Sequence, residues 1–131
     1  MSIRALLVDD HDAMRQMLRE ILERAGYVEV VGETGDGTET LRVIDALAPD
    51  VVVLDLHLHG MEGYSTLRAL AAMDDGPKVV ALSNSMEPAV ERIALAAGAK
   101  AFVPTGEAVS RLAPAVRSAM MQKYQAAGLP S

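Results

Sequence analysis

Short apolar runs alternate with amphipathic stretches along the chain. ALLV at 5–8 is followed by HDAMRQMLREILERAG, in which Met14, Met17, Leu18, Ile21, Leu22 and Ala25 recur at helical spacing and predict one apolar face. Asp12 is placed to cap this helix and Gly26 to end it. VEVVGE (28–33) predicts a second strand, GDG its turn, and TETLRVIDALA the next helix, which Pro49 stops. VVVL (51–54) and KVVALS (78–83) predict strands that are apolar on both faces. Between them GYSTLRALAAM is helical, and after them Glu87-Pro88 opens the helix AVERIALAAG. AKAFV predicts a fifth strand, and residues 107 to about 126 a final helix.

Strands that lack polar alternation are buried on both faces, which requires a parallel sheet covered by helices on each side. Crossovers in such units are right-handed. The expected fold is therefore α/β: a three-layer (βα)5 doubly wound sheet of five parallel strands, order 2-1-3-4-5, flavodoxin-like. Residues 1–126 form this domain, and 127–131 a C-terminal tail or the start of a linker. Ligands of such sheets bind outside the carboxyl ends of strands 1 and 3, where the winding direction switches. The residues that end the strands are thereby singled out: Asp9 and Asp10, then Asp55, then Ser83, then Pro104 and Thr105.

Three carboxylates at one sheet edge repel one another and call for a hard divalent cation, with oxygen ligation selecting Mg²⁺ or Mn²⁺. A competing arrangement lies in DVVVLDLHLHGMEGY, where Asp55, His57 and His59 would share one face of a continuing strand and resemble a carboxylate–imidazole metal site. Gly60 and Gly63 follow at once, so both imidazoles are expected on a loop over the crevice rather than on metal. His11 reads as a loop or helix-entry residue. The Met14-Met17 pair reads as core packing.

Composition narrows the classes further. The 131 residues suffice for one domain with a real core, and with 3% aromatics and no Trp that core is aliphatic. A net charge of −6 argues against nucleic-acid binding by this segment. The absence of Cys excludes disulfides and thiolate metal sites. No apolar run approaches the roughly 20 residues of a membrane span, and MSIRALLVDD is too short and too acidic for a signal peptide. The expected location is the cytoplasm.

LLVDDH, VVLDLHLHGMEG, VVALS and AGAKAFVP resemble, in order and spacing, the receiver domains of bacterial response regulators, over residues 3 to about 122. VDDH followed by VEVVGETGDGTETL is similar in particular to receivers of LuxR-type transcription factors. The resemblance implies a phosphorelay signalling domain rather than an enzyme. Asp55 would accept a phosphoryl group from a histidine kinase or phosphotransfer protein and lose it slowly. Asp9, Asp10, Asp55 and the backbone carbonyl of His57 would hold Mg²⁺. Ser83 matches the hydroxyl that bonds the phosphoryl group, and Phe102 the aromatic that then changes rotamer. The output side would be the fourth helix, fifth strand and final helix, which could also pair two copies. Either the chain is a stand-alone receiver, or transcription would be controlled through a DNA-binding domain outside these residues. His57 is expected to tune water access to the acyl phosphate, and Asn84, larger than the Ala or Gly common there, either to narrow access or simply to cap its loop. His59 stands where receivers commonly carry Pro.

One departure matters. Receivers ordinarily carry a Lys at the end of strand 5, and the matching position here is Thr105. Lys78 and Lys100 begin their strands and, at about 3.3 Å per residue, belong to the opposite edge. Two outcomes stay open: phosphorylation of Asp55 with altered switching, or a phosphorylation-independent interaction module. A Mg²⁺-dependent phosphatase of the haloacid dehalogenase type also uses a strand-end Asp. Such enzymes place a second Asp two positions on, where this chain has His57, and this chain has no cap domain.

Overall fold

Strand and helix follow one another as β1 (Ile3–Val8), α1 (Asp12–Arg24), β2 (Val28–Thr34), α2 (Gly37–Leu47), β3 (Val51–Asp55), α3 (Glu62–Ala71), β4 (Lys78–Ser83), α4 (Pro88–Ala96), β5 (Ala101–Pro104) and α5 (Ala108–Gly128). A 3₁₀ turn over Thr105–Glu107 joins the last two. These elements come from a computed structural model that describes residues 2–58 and 62–128. All strand pairs are parallel, in the order β2-β1-β3-β4-β5. The doubly wound expectation holds.

The strands alternate between two cores, which explains why β3 and most of β4 are apolar throughout. Ala5, Leu7, Val51, Val53, Val80 and Leu82 face one core, closed by Leu18 and Leu22 of α1 and by Leu112 and Val116 of α5. Leu6, Val8, Val52, Leu54 and Ala81 face the other, closed by Ile44 of α2, Leu67 and Leu70 of α3, and Ala94 of α4. Each residue of β3, and of β4 after Lys78, is thus buried whichever way it points, as a sheet covered on both sides requires.

Several local expectations shift. Asp12 is the first residue of α1 rather than its cap; His11 holds the cap position and makes no side-chain capping bond. Asp12 instead accepts from Arg15 Nη2 at 2.6 Å. Gly26, with φ +83, does turn the chain out of α1. Met14 packs on the core, but Met17 is 37% exposed, because it sits at the edge of the helix's apolar arc. α5 runs through Gly128, past the expected end of the domain at 126. β5 begins at Ala101, one residue beyond Lys100.

The crevice end is held by a close approach of α3 to the end of β3. A Cβ on Gly63 would collide with the carbonyl oxygen, carbonyl carbon and Cα of Leu56, all backbone atoms that cannot step aside. This glycine lets α3 begin directly against the residue that follows Asp55. On the α2 side, Glu62 Oε1 accepts from the Gly37 N–H at 2.6 Å, tying the start of α3 to the start of α2. Gly63→Ala is expected to cost about 1–3 kcal/mol, the range of an overpacked substitution, read as a lowered midpoint in urea unfolding. An unchanged midpoint would mean the β3–α3 connection has room to move.

Candidate functional site

The register of β1 on β3 decides what meets at the crevice. Val8 pairs with Leu54, so the next residues, Asp9 and Asp55, leave the sheet side by side. By the period of two they point to the same face as Leu7 and Val53. Both are largely buried, at 3% and 8% exposure. Asp10 follows directly. Ligand atoms of Asp9, Asp10, His11 and Asp55 all lie within 4.8 Å of one another.

The chain turns away from the sheet by the same device at three strand ends. Asp9 Oδ1 accepts from the His11 N–H at 2.8 Å, Asp55 Oδ1 from the His57 N–H at 2.9 Å, and Ser83 Oγ from the Ser85 N–H at 3.0 Å. A short polar side chain bonded to the amide two residues on makes a turn and fixes its own rotamer. The oxygens are thereby held at the crevice before any ligand arrives.

Burial is the main cause that pushes the Asp55 carboxyl above the ordinary carboxylate range; repulsion from Asp9 and Asp10 adds to it. The His57 N–H bond and the His57 ring work in the opposite direction. A dication among these oxygens removes the repulsion, and the all-carboxylate part of the set matches a hard cation such as Mg²⁺. The residues fit such an ion.

The crevice encloses ≈ 380 Å³ and is lined by Asp9, His11, Ala13, Met14, Asp55, His57, Asn84 and Thr105. Asn84 and Thr105 are therefore where the sequence put them, on the wall facing Asp55. No lysine is among these lining residues. Lys78 and Lys100 instead line a cavity at the opposite end of β4 and β5, as their strand positions require. Ser83 is fully buried at the end of β4. It shares a face with Ala81, which pairs with Phe102, so Ser83 and Phe102 lie on one side of the sheet. Phe102 is 7% exposed and lines a groove with Leu95 of α4 and Arg111 and Pro114 of α5.

Two site features were not read from the sequence. His11 enters the acidic group, with Nδ1 at 3.0 Å from Asp10 Oδ1 and 3.4 Å from Asp9 Oδ1. Arg15 reaches under the cluster to the backbone carbonyl of Asp9 and pairs with Asp12 and Glu33; its spacing from Asp12 was the available signal. The His57 ring, expected over the crevice rather than on metal, turns to Ser83, with Nε2 at 2.7 Å from Oγ. The Asp55–His57–His59 metal arrangement gains no support from the described residues, and His59 lies outside them.

The model of the response regulator receiver domain matches residues 5–117. The chain belongs to this family. Among relatives, the receiver is 42% identical over 113 residues to a protein-glutamate methylesterase/protein-glutamine glutaminase of Myxococcus xanthus, covering 84% of this chain and 32% of the relative. It is 32% identical over 117 residues to the transcriptional regulatory protein LiaR of Bacillus subtilis, covering 89% and 56%. The chain thus spans about a third to just over half of these relatives' length. Among solved structures, the signal receiver domain of the putative response regulator NarL from Mycobacterium tuberculosis superposes with a TM-score of 0.77 at 32% identity, covering 88% of this chain and 97% of that one. Receivers are signalling modules of two-component systems that interact with histidine kinases or phosphotransfer proteins and bind Mg²⁺ at an acidic pocket. The haloacid dehalogenase alternative falls with this membership. No helix among the described residues is long and apolar enough to cross a membrane.

The raised Asp55 carboxyl has a consequence for stability. Below the ordinary carboxylate range Asp55 is protonated in folded and unfolded chains alike. As pH rises through the ordinary value and then the raised folded value, the folded state holds the proton longer and loses stability. In metal-free buffer, Asp55→Asn is therefore expected to be more stable than wild type at neutral pH, with the gap closing at acid pH. Urea unfolding at the two pH values measures this; a gap independent of pH would contradict it.

Proposed function

We propose that this receiver accepts a phosphoryl group on Asp55 and relays the event through Ser83 and Phe102 to the side formed by α4, β5 and α5. The observation that carries the reading is the convergence of the Asp9, Asp10 and Asp55 oxygens within 4.8 Å at the switch point of the sheet. The residues assigned to Mg²⁺ are Asp9, Asp10, Asp55 and the backbone carbonyl of His57. When bound, the ion offsets the repulsion between carboxylate and phosphate and stabilises charge on the transferred oxygens.

The chain's own residues supply the rest. A carboxylate oxygen of Asp55 forms the new O–P bond while the P–N bond of a phosphohistidine donor breaks and the imidazole leaves. The His57 N–H, bonded to Oδ1, holds the carboxylate in place for this attack. Asn84 and Thr105 stand on the crevice wall and limit what reaches the product. The acyl phosphate adds roughly two negative charges, by analogy with other phosphorylated side chains. Its oxygens attract the Ser83 hydroxyl, and movement of Ser83 changes the space open to Phe102 on the same face. The groove beside Phe102, between α4 and α5, then changes shape as a surface for a partner or a second copy.

The natural donor is a histidine kinase or phosphotransfer protein, and residues 1–126 suffice as the receiver unit. Likeness to LiaR supports a transcriptional output through a DNA-binding region beyond this segment. Slow loss of phosphate is the only turnover expected of the domain, and the cytoplasm its location.

A second reading has its own support. Thr105 lacks the ammonium that would bond the phosphoryl group, and Ser83 is already engaged by His57. Under it, the domain docks its partner without phosphorylation. Incubation with acetyl phosphate and Mg²⁺, followed by intact mass, separates the two. The mass of one phosphoryl group is expected on wild type and none on Asp55→Asn. No addition to wild type would reject the phosphoacceptor reading and favour the docking module.

A further inference from the structure

His57 touches both ends of the switch. Its backbone N–H donates to Asp55 Oδ1 at 2.9 Å, and its ring Nε2 lies 2.7 Å from Ser83 Oγ. Ser83 is fully buried, and its oxygen also accepts from the Ser85 N–H at 3.0 Å. A hydroxyl offers one donor and two acceptor sites. Two of the three are therefore occupied before any phosphoryl group arrives, and both partners hold the oxygen where it is.

We propose that His57 is a positioning residue that latches Ser83 in the unphosphorylated state, so that the β4 end switches only after the His57–Ser83 bond breaks. The same residue supplies the release. A hydrogen bond accepted by a carboxylate is charge-assisted and stronger than one accepted by a neutral ester-like oxygen. Phosphorylation of Asp55 removes the carboxylate charge from its own oxygens, and the added negative charge lies on the phosphoryl group. The His57 N–H then loses part of its reason to stay at Oδ1, and the ring attached to the same residue loosens from Ser83. Ser83 becomes free to bond the new phosphoryl oxygens. A chain without the strand-5 lysine thus gains a contact, two bonds long, between the reacting carboxylate and the switching hydroxyl. His57 is itself exposed, so its replacement leaves the core intact.

The consequence for switching rests on the phosphoacceptor reading; the bond itself does not. Two measurements on the same protein separate them. In the unphosphorylated chain, nitrogen NMR of labelled histidine is expected to show the His57 ring signals moving on Ser83→Ala while those of His11 stay. Unmoved His57 signals would overturn the latch irrespective of phosphorylation. With Mg²⁺ and beryllofluoride as the acyl-phosphate mimic, His57→Ala is expected to bind the mimic more tightly by about two- to tenfold, the equilibrium equivalent of one neutral hydrogen bond. In the Ser83→Ala background the same replacement is expected to change nothing, because the latched group is gone. Equal affinities of wild type and His57→Ala, or an equal gain with and without Ser83, would overturn the latch. Failure of wild type and both variants to bind the mimic would reject the phosphoacceptor reading and its switch together.

Discussion

Pairing of β1 with β3 forces Asp9 and Asp55 out of the sheet as neighbours, on the same face and nearly out of water. Two carboxylates in that position repel each other, and Asp10 adds a third. The fold therefore carries a local penalty at its switch point, visible in the raised Asp55 carboxyl. A site that is costly empty and relieved by a cation is prepared to bind one. The rest of the molecule, from the helix α3 start held by Gly63 to the three folded-back strand ends, keeps those oxygens from moving apart.

Switching draws on the same economy of position. Asp55 and Ser83 end strands that lie side by side in the sheet, and His57 spans from one to the other. Ser83 and Phe102 share a face of the sheet, so a change at the crevice has a short route to the groove between α4 and α5. These steps link neighbouring strands, β3 to β4 by hydrogen bonds through His57 and β4 to β5 by a shared face. No long-range path through the core is needed. Thr105 marks where this chain departs from its family, and Ser83, bonded to the His57 ring, lines a pocket with it.

Much of this was legible in the sequence, for a reason. VVVL and KVVALS carry no polar alternation, so burial on both faces and a parallel sheet follow from the period alone. The topology then assigns Asp9, Asp10, Asp55 and Ser83 to one edge by counting, and Lys78 and Lys100 to the other. Rotamers and loop paths are not encoded in period. Nothing in the spacing of His57 says that its ring turns to Ser83 rather than to the acids, since that depends on how the chain leaves β3 at Leu56. His11 joined the acids for the same reason: the Asp9 carboxylate folds back onto its amide and brings the imidazole with it. Asp12 lost its capping place because the helix begins one residue early, and Arg15 took up its charge.

The central claim is that the acidic oxygens at the ends of β1 and β3 form one site for a dication. Paramagnetic Mn²⁺, titrated while amide signals are followed in a proton–nitrogen correlation spectrum, tests it residue by residue. Saturable broadening is predicted at Asp9, Asp10, Asp55 and their immediate neighbours, reversed by excess Mg²⁺, with the edge bearing Lys78 and Lys100 untouched. Broadening centred elsewhere, or none that saturates, would contradict the account.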